Sequence, residues 1–356
     1  MTRDAGEQNA AELVEVLPQH RFDEAALRDY LRVRLPELAD GFSILQFQGG
    51  QSNPTFLLVD ANRKYVLRKK PPGDLLRGAH QVEREFKVMS ALWREAVPVP
   101  KMHLLCEDTG LIGTPFFVMD FVEGRLSPEP HLPELETDER KPLYHDMAGN
   151  LARLHSVDWQ KAGLADFGKP HDYIARQIKT WSRQYEASKT GDMPAMDKLI
   201  AALGNRLPED DIATIVHGDY RPGNMIIAPD RPEVAAILDW ELSTLGHPLA
   251  DLGYFCVPYH LPAGVPGIKG LQGLDLAAAG MPGEDEVLHA YARQRGIGEV
   301  RELPFFVAFS LFRLSAILQG VYARALQGNA SSADAQSVGA RAGFLAESGW
   351  AIASRF

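Results

Sequence analysis

Apolar positions recur first with a period of two and later with the period of a helix, and the change divides the chain. Residues 1–20 are polar and read as a mobile lead-in. Phe22, Ala26, Leu27, Tyr30, Leu31 and Leu35 then share one face of a helix starting at Asp23, with Phe22 and Leu27 placed as a hydrophobic staple. Alternation predicts strands over 42–48, 54–60 and 64–70. In the third, K-Y-V-L-R-K-K, Val66 and Arg68 share one face and Leu67 and Lys69 the other. A helix over 79–96 follows, with Val82, Phe86, Met89 and Trp93 as its apolar stripe. Glu85 falls inside that stripe and Glu83 well outside it. A carboxylate on an apolar face needs a partner, and Arg68 is the natural one. Strands over 102–106 and 116–122 close across Glu107-Asp108-Thr109-Gly110.

Beyond residue 121 the pattern is mostly helical. Residues 128–139 form an acidic, proline-rich stretch that reads as solvated surface, and helices are predicted over 141–157, 173–188, 196–207, 286–295 and 303–326. One segment breaks this rhythm. Residues 215–241 read as strand, tight loop, strand, turn, strand, with His217, Asp219, Arg221 and Asn224 in the loop. Pro222-Gly223 supplies the turn, and the last strand delivers Asp239. Residues 257–283 are rich in Gly and Pro and nearly uncharged; they either cover a binding site or are an insertion. The element order gives an α+β protein, with an N-terminal part over 1–121 carrying five strands and a mostly helical part over 122–356.

Composition narrows the setting. With 356 residues and 45% hydrophobic content the chain can bury one large core or two modest ones. A net charge of −10 argues against nucleic-acid or anionic-membrane partners. Cys106 and Cys256 sit in apolar contexts and read as buried thiols. Residues 1–11 lack the apolar core of a secretory signal, and the run over 304–318 is short and interrupted by Arg313. A cytoplasmic location is expected.

The chemistry that the 215–241 segment suits is phosphoryl transfer, which needs a carboxylate to position and deprotonate a hydroxyl and a metal to neutralise phosphates. Asp219 precedes Asn224 by five positions, the offset between base and metal-binding Asn in a kinase catalytic loop, and Asp239 is placed to bind Mg²⁺ as well. Gly49-Gly50-Gln51-Ser52-Asn53 lies between two strands, where successive amides can wrap phosphate oxygens.

H-G-D-Y-R-P-G-N and I-L-D-W-E resemble the catalytic and metal motifs of the aminoglycoside phosphotransferase and choline kinase-like family, small-molecule relatives of protein kinases. Y-V-L-R-K-K-P-P-G, D-W-E-L-S-T-L-G and F-R-L-S-A-I-L-Q-G-V-Y-A-R-A-L-Q-G-N-A further resemble the kinase-like domain ahead of certain animal acyl-CoA dehydrogenases. The resemblance implies a protein-kinase-like bilobal fold: a small antiparallel-sheet N-lobe with its helix C over 1–121, and a larger mostly helical C-lobe over 122–356. It implies ATP as cosubstrate, Mg²⁺ on Asn224 and Asp239, and Asp219 with His217 and Asn224 as the catalytic group. The nucleotide would be held by Gly49, Gly50, Ser52, Asn53, Arg68 and Glu85, with adenine against the backbone of Met119 to Phe121. Arg68 stands where relatives carry Lys. Asp251 matches a structural aspartate that braces the catalytic loop, and His155 in L-A-R-L-H-S-V-D reads as structural at a helix end.

For the acceptor, Arg313 and Arg324 lie eleven residues apart on one helix face near Phe305, Phe309, Phe312 and Tyr322. With Arg221 and Glu241 they are the candidate acceptor contacts; alternatively both arginines pair with local carboxylates. No dominant acidic cluster suits a polycation. The resemblance points to a hydroxyl of a hydroxyacyl-CoA or hydroxy acid, with acyl-CoA dehydrogenase pathway partners. An aminoglycoside phosphotransferase and a catalytically silent nucleotide-binding module remain as alternatives.

Overall fold

A computed structural model describes residues 12–38, 41–48, 53–71, 73, 80–327 and 335–356. In chain order the elements are β1 (Leu13–Val14), α1 (Glu24–Arg34), β2 (Ser43–Phe47), β3 (Thr55–Val59), β4 (Lys64–Lys69) and α2 (Val82–Arg94). Next come β5 (Met102–Cys106), α3 (Thr109–Ile112), β6 (Phe116–Asp120), α4 (Thr137–Ser156), α5 (Tyr173–Ser188) and α6 (Pro194–Asn205). Four short strands follow: β7 (Thr214–Val216), β8 (Met225–Ile227), β9 (Val234–Ile237) and β10 (Thr244–Gly246). The chain ends with α7 (Pro248–Cys256), α8 (Glu284–Arg295), α9 (Leu303–Leu326) and α10 (Ala335–Ala353).

The residues fall into two compact units. The first takes the chain up to Leu126 together with Ala162–Leu164 and Asn224–Ser243. Its sheet is antiparallel and runs β1-β2-β3-β4-β6-β5. It has six strands where five were expected, because Leu13 and Val14, in the stretch read as a mobile lead-in, pair with Phe47 and Gln46. Asp23 caps α1 by accepting from the Ala26 amide at 2.9 Å, and Leu27 and Leu31 bury its apolar stripe. That stripe meets Phe56, Leu58, Tyr65, Leu67 and Phe116 on one face of the sheet. α2 begins three residues later than its pattern predicts and buries Val82, Glu85, Val88, Met89 and Leu92. Trp93, expected in the stripe, is instead 50% exposed, because Val88, Ala91 and Leu92 supply the buried surface.

The β8–β9 hairpin belongs to this unit through Arg125, which exchanges backbone bonds with Ile227 at 2.8 and 2.9 Å. Gly124 makes this approach possible: a Cβ there would lie 2.2 Å from the Ile227 carbonyl oxygen.

The second unit holds Ser127–Lys161, Ala165–Gly223 and Thr244–Phe356. α4 starts at Thr137, earlier than expected, behind a capping box in which Glu139 reaches back to the Glu136 amide at 3.2 Å. α9 is the central helix, packed by α5, α6, α7 and α10. Phe305, Phe309 and Phe312, read as acceptor-facing aromatics, are core residues with exposures of 6%, 1% and 0%. α9 is long and apolar enough to cross a bilayer, yet 61% of that stretch is buried inside the protein. α10 was not anticipated. β7 pairs with β10, which sets the loop after Val216 beside the start of α7. Cys106 and Cys256 are both buried free thiols.

Candidate active site

The first unit gathers one group around Arg68. β4 turns Arg68 toward α2 and Lys69 to the opposite face, as alternation predicts. Arg68 Nε lies 3.1 Å from Glu85 Oε2, and its Nη2 lies 3.0 Å from Asp239 Oδ1 and 4.0 Å from Glu241 Oε2. Glu241, read as an acceptor contact, therefore sits in the cluster that holds the nucleotide candidates. Asn53 Nδ2 donates to Glu85 Oε1 at 3.0 Å, while its Oδ1 lies 3.1 Å from His80 Nδ1. Gly49, Gly50 and Ser52 lie outside the described residues.

Asp239 lies two residues beyond β9 at φ +66°, a left-handed conformation that a non-glycine residue adopts at a cost and that clusters at functional positions. Asn224 opens β8 of the same hairpin, and its carbonyl accepts from Leu238 at 2.8 Å, so both metal candidates stand at one end of it. Among the described residues no group of three or more His, Cys, Asp or Glu is arranged to hold a metal. A carboxylate and an amide oxygen fit Mg²⁺, which keeps waters and shares its shell with phosphates.

At the end of β6 the Asp120 and Phe121 amides already donate to the carbonyls of Lys101 and Lys64, at 2.9 and 3.4 Å. Met119 lies within the strand at 8% exposure.

Glu85 is 1% exposed, and burial pushes its carboxyl up to about 7 against the pull of Arg68, with Asp239 and Glu241 pushing the same way. The folded protein thus keeps a proton that the unfolded chain releases near 4.5. The resulting stability is complete below that pH and is lost as pH rises to about 7, on the order of 3 kcal/mol. Glu85→Gln cannot titrate and should abolish this slope. In urea unfolding without Mg²⁺ or nucleotide, the wild type should lose a few kcal/mol relative to the variant between pH 4.5 and 7.5. Parallel stability curves would show that Glu85 does not ionise in that range.

The second unit gathers its group around the 217–223 loop. Asp251 on α7 accepts from the His217 amide at 2.6 Å and the Gly218 amide at 2.9 Å, with His155 Nε2 at 3.5 Å. Burial alone would raise its carboxyl, but His155, His217 and the Gly218 amide outweigh it and hold Asp251 below the ordinary value. His155 is in turn 2.9 Å from the Tyr291 hydroxyl, and burial pushes its imidazole down. His217 was read as part of the catalytic group. Its ring is fully buried, and its Nδ1 accepts from the Asp219 amide at 3.1 Å.

Asp219 Oδ1 accepts from the Tyr254 hydroxyl at 2.6 Å. Arg221 Nε spans both Asp219 oxygens, at 3.3 and 3.2 Å. Burial, and then Asp219 itself, pushes the Tyr254 phenol well up, so it stays a donor. Arg313, expected to face the acceptor, donates through Nη2 to the Gly218 carbonyl and sets its guanidinium 5.3 Å from the Tyr254 ring centre. Arg324 is exposed on the last turn of α9.

A cavity of about 530 Å³ opens beside Asp219, Arg221 and Tyr254. Ile268 and Lys269 reach it from the 257–283 segment, Leu314 and Leu318 from α9, and Arg341 and Leu345 from α10. Helical periodicity explains the correction: Phe305, Phe309 and Phe312 turn to the core, and Leu314 and Leu318, four apart, turn to the cavity.

Residues 43–303 match the model of a phosphotransferase enzyme family. The mouse protein named acyl-CoA dehydrogenase family member 10 is 46% identical over 331 residues, covering 93% of this chain and 31% of that protein. The human protein named acyl-CoA dehydrogenase family member 11 is 43% identical over 358 residues, covering 98% of this chain and 45% of that protein. The chain thus spans less than half the length of these relatives. A crystal structure of a candidate aminoglycoside phosphotransferase from Ralstonia eutropha JMP134 matches with 44% identity and a TM-score of 0.86, covering 94% of this chain and 99% of that one. Choline kinase from Cryptosporidium parvum Iowa II matches at 13% identity with a TM-score of 0.65, covering 91% and 94% of the two chains. That likeness is of fold, and the fold is the α+β, protein-kinase-like one.

Proposed function

Because the chain belongs to the phosphotransferase enzyme family, we propose that it moves the γ-phosphoryl group of ATP to a hydroxyl of a hydroxyacyl-CoA or a hydroxy acid. Small-molecule phosphotransfer is the activity of the family; the acceptor is our reading. The cavity lining carries it. Among the described lining residues Asp219 is the single carboxylate; they include Arg221, Lys269 and Arg341 and are otherwise mostly apolar. Such a surface suits an anion with an apolar body and disfavours a polycationic aminoglycoside. Relatives named as acyl-CoA dehydrogenase family members support an acyl-CoA acceptor and a pathway partner of that class.

In the mechanism we infer, the acceptor oxygen bonds to the γ-phosphorus as the bond from that phosphorus to the β–γ bridging oxygen breaks. ADP departs with the bridging oxygen, and the hydroxyl proton passes to Asp219. Tyr254 orients the carboxylate for that transfer. Asn224 and Asp239 would hold Mg²⁺, which supplies neutralisation of the phosphate charge. Arg68, steadied by Glu85, offers its guanidinium to phosphate oxygens in place of the usual Lys. Asp239→Ala should weaken Mg²⁺–nucleotide binding by on the order of tenfold or more. Unchanged affinity by calorimetry would remove Asp239 from the metal site.

The test is incubation with ATP and Mg²⁺ against hydroxyacyl-CoAs, hydroxy acids, sugars, choline and kanamycin, reading the gain of one phosphoryl mass on the acceptor. Gain on the acyl or hydroxy-acid class supports the reading. Gain on kanamycin alone would make the protein an antibiotic-modifying enzyme. Tight ATP binding with no gain anywhere would make it a nucleotide-responsive binding module.

A further inference from the structure

Arg221 is tied to the group proposed as base. Its Nε reaches both Asp219 oxygens, one of which already accepts from Tyr254, so the carboxylate is held by a cation and a hydroxyl at once. The conformation is built into the loop. The Arg221 side chain lies back over Gly223, where a Cβ would sit 2.4 Å from its Nη1. A side chain at position 223 would push the guanidinium away, so P-G in this loop does more than turn the chain.

Arg221 also lines the acceptor cavity with Lys269 and Arg341, but these two are held elsewhere. Lys269 donates to the Pro128 carbonyl at 3.0 Å and pairs with Glu129 at 2.9 Å. Arg341 donates to the Gly267 carbonyl at 3.1 Å. Arg221 is the lining cation whose partner is Asp219. With side-chain exposures of 40% and 21% that pair is partly solvated, and pairs of this kind are weak and readily exchanged for another anion.

We propose that Arg221 is a specificity-determining residue that gates the base: it pairs with Asp219 in the absence of acceptor and shifts to the acceptor's own anionic group on binding. While the pair holds, both Asp219 oxygens face the guanidinium and one of them also faces the Tyr254 hydroxyl. An anionic acceptor would draw Arg221 off and open the Asp219 carboxylate to the acceptor's hydroxyl as it arrives. A neutral hydroxyl compound, or water, leaves the pair in place, and ATP is spared from hydrolysis. That wasteful step would bond water oxygen to the γ-phosphorus, release ADP and pass a proton to Asp219. The proposal rests on the phosphotransferase reading above and concerns how one acceptor class is selected.

The experiment compares a hydroxy acid or hydroxyacyl-CoA that the protein phosphorylates with a neutral counterpart of the same skeleton, its methyl ester or amide, and follows ADP release without acceptor. Wild type should favour the anion by on the order of tenfold or more in kcat/KM. Arg221→Ala should shrink that preference to about threefold or less and raise acceptor-independent ATP hydrolysis several-fold. Arg221→Lys, which keeps the charge, should restore part of the preference. Thermal unfolding of each variant checks that the loop has not simply collapsed.

If Arg221→Ala only raises KM for the anion, with kcat and ATP hydrolysis unchanged, Arg221 is a binding contact and the gate is overturned. Equal loss on both acceptors, or a wild type that prefers the neutral one, overturns it also while leaving phosphotransfer intact. A wild type that phosphorylates nothing removes the phosphotransferase reading, and the gate with it.

Discussion

Asp219→Asn will lower turnover by on the order of a hundredfold or more while leaving nucleotide affinity nearly unchanged. The substitution preserves shape: the Tyr254 hydroxyl can still donate to the side-chain oxygen it now meets at 2.6 Å, and only the Arg221 bond to the replaced oxygen is lost. What disappears is the capacity to take a proton. A general base contributes roughly two to four orders of magnitude, whereas the nucleotide contacts proposed above are Arg68, Asn224 and Asp239, which the change does not touch. The check is steady-state turnover beside calorimetric titration of Mg²⁺–ATP into both proteins. Normal turnover in the variant would end the assignment of Asp219 as base, and lost nucleotide affinity would show that the carboxylate acts on the metal site.

The second large effect is on stability. Asp251 is 2% exposed and satisfies two backbone amides and an imidazole at once. Asp251→Ala leaves the His217 and Gly218 amides buried without their acceptor, and should cost roughly 3–5 kcal/mol of unfolding free energy. Turnover should fall with it, because those amides belong to the residues immediately before Asp219. The wild-type carboxyl is held below its ordinary value of 3.8, so its stabilisation is present above that pH and is lost as the pH falls through its lower folded value. In denaturant titrations the gap between wild type and variant should therefore be widest near neutrality and close in strong acid. A gap independent of pH would mean that packing, not charge, carries the effect.

Much of this was legible in the chain. Alternation in K-Y-V-L-R-K-K placed Arg68 opposite Lys69, and a 100° step along α2 put Glu85 on the buried face. The offset of Asp219, Asn224 and Asp239 singled out the two loops to which the proposed chemistry is assigned. Other features had no local signal. Leu13 and Val14 are a strand only because β2 offers an edge, and two residues carry no period of their own. α10 is rich in Ala and Gly and shows little amphipathicity, so its place against α9 comes from tertiary packing. The aromatic residues near Arg313 look like a binding face in a linear reading, yet they are the core on which α5 and α6 close. Tyr254 was missed because a tyrosine on α7 becomes a partner of Asp219 only after β7 pairs with β10.

The first unit borrows Asn224–Ser243 from far down the chain, fastening it through Arg125 to Ile227 and through the Ile237 amide to the Pro98 carbonyl at 2.8 Å. During synthesis, then, the sheet and both of its long helices leave the ribosome well before the hairpin that completes them. A nascent chain stopped at Leu126 would carry Arg68 and Glu85 but neither Asn224 nor Asp239. On the metal assignment proposed above, nucleotide competence should be acquired late, when residue 243 has emerged, and a gene truncated at the end of the sheet should not yield a smaller ATP-binding protein.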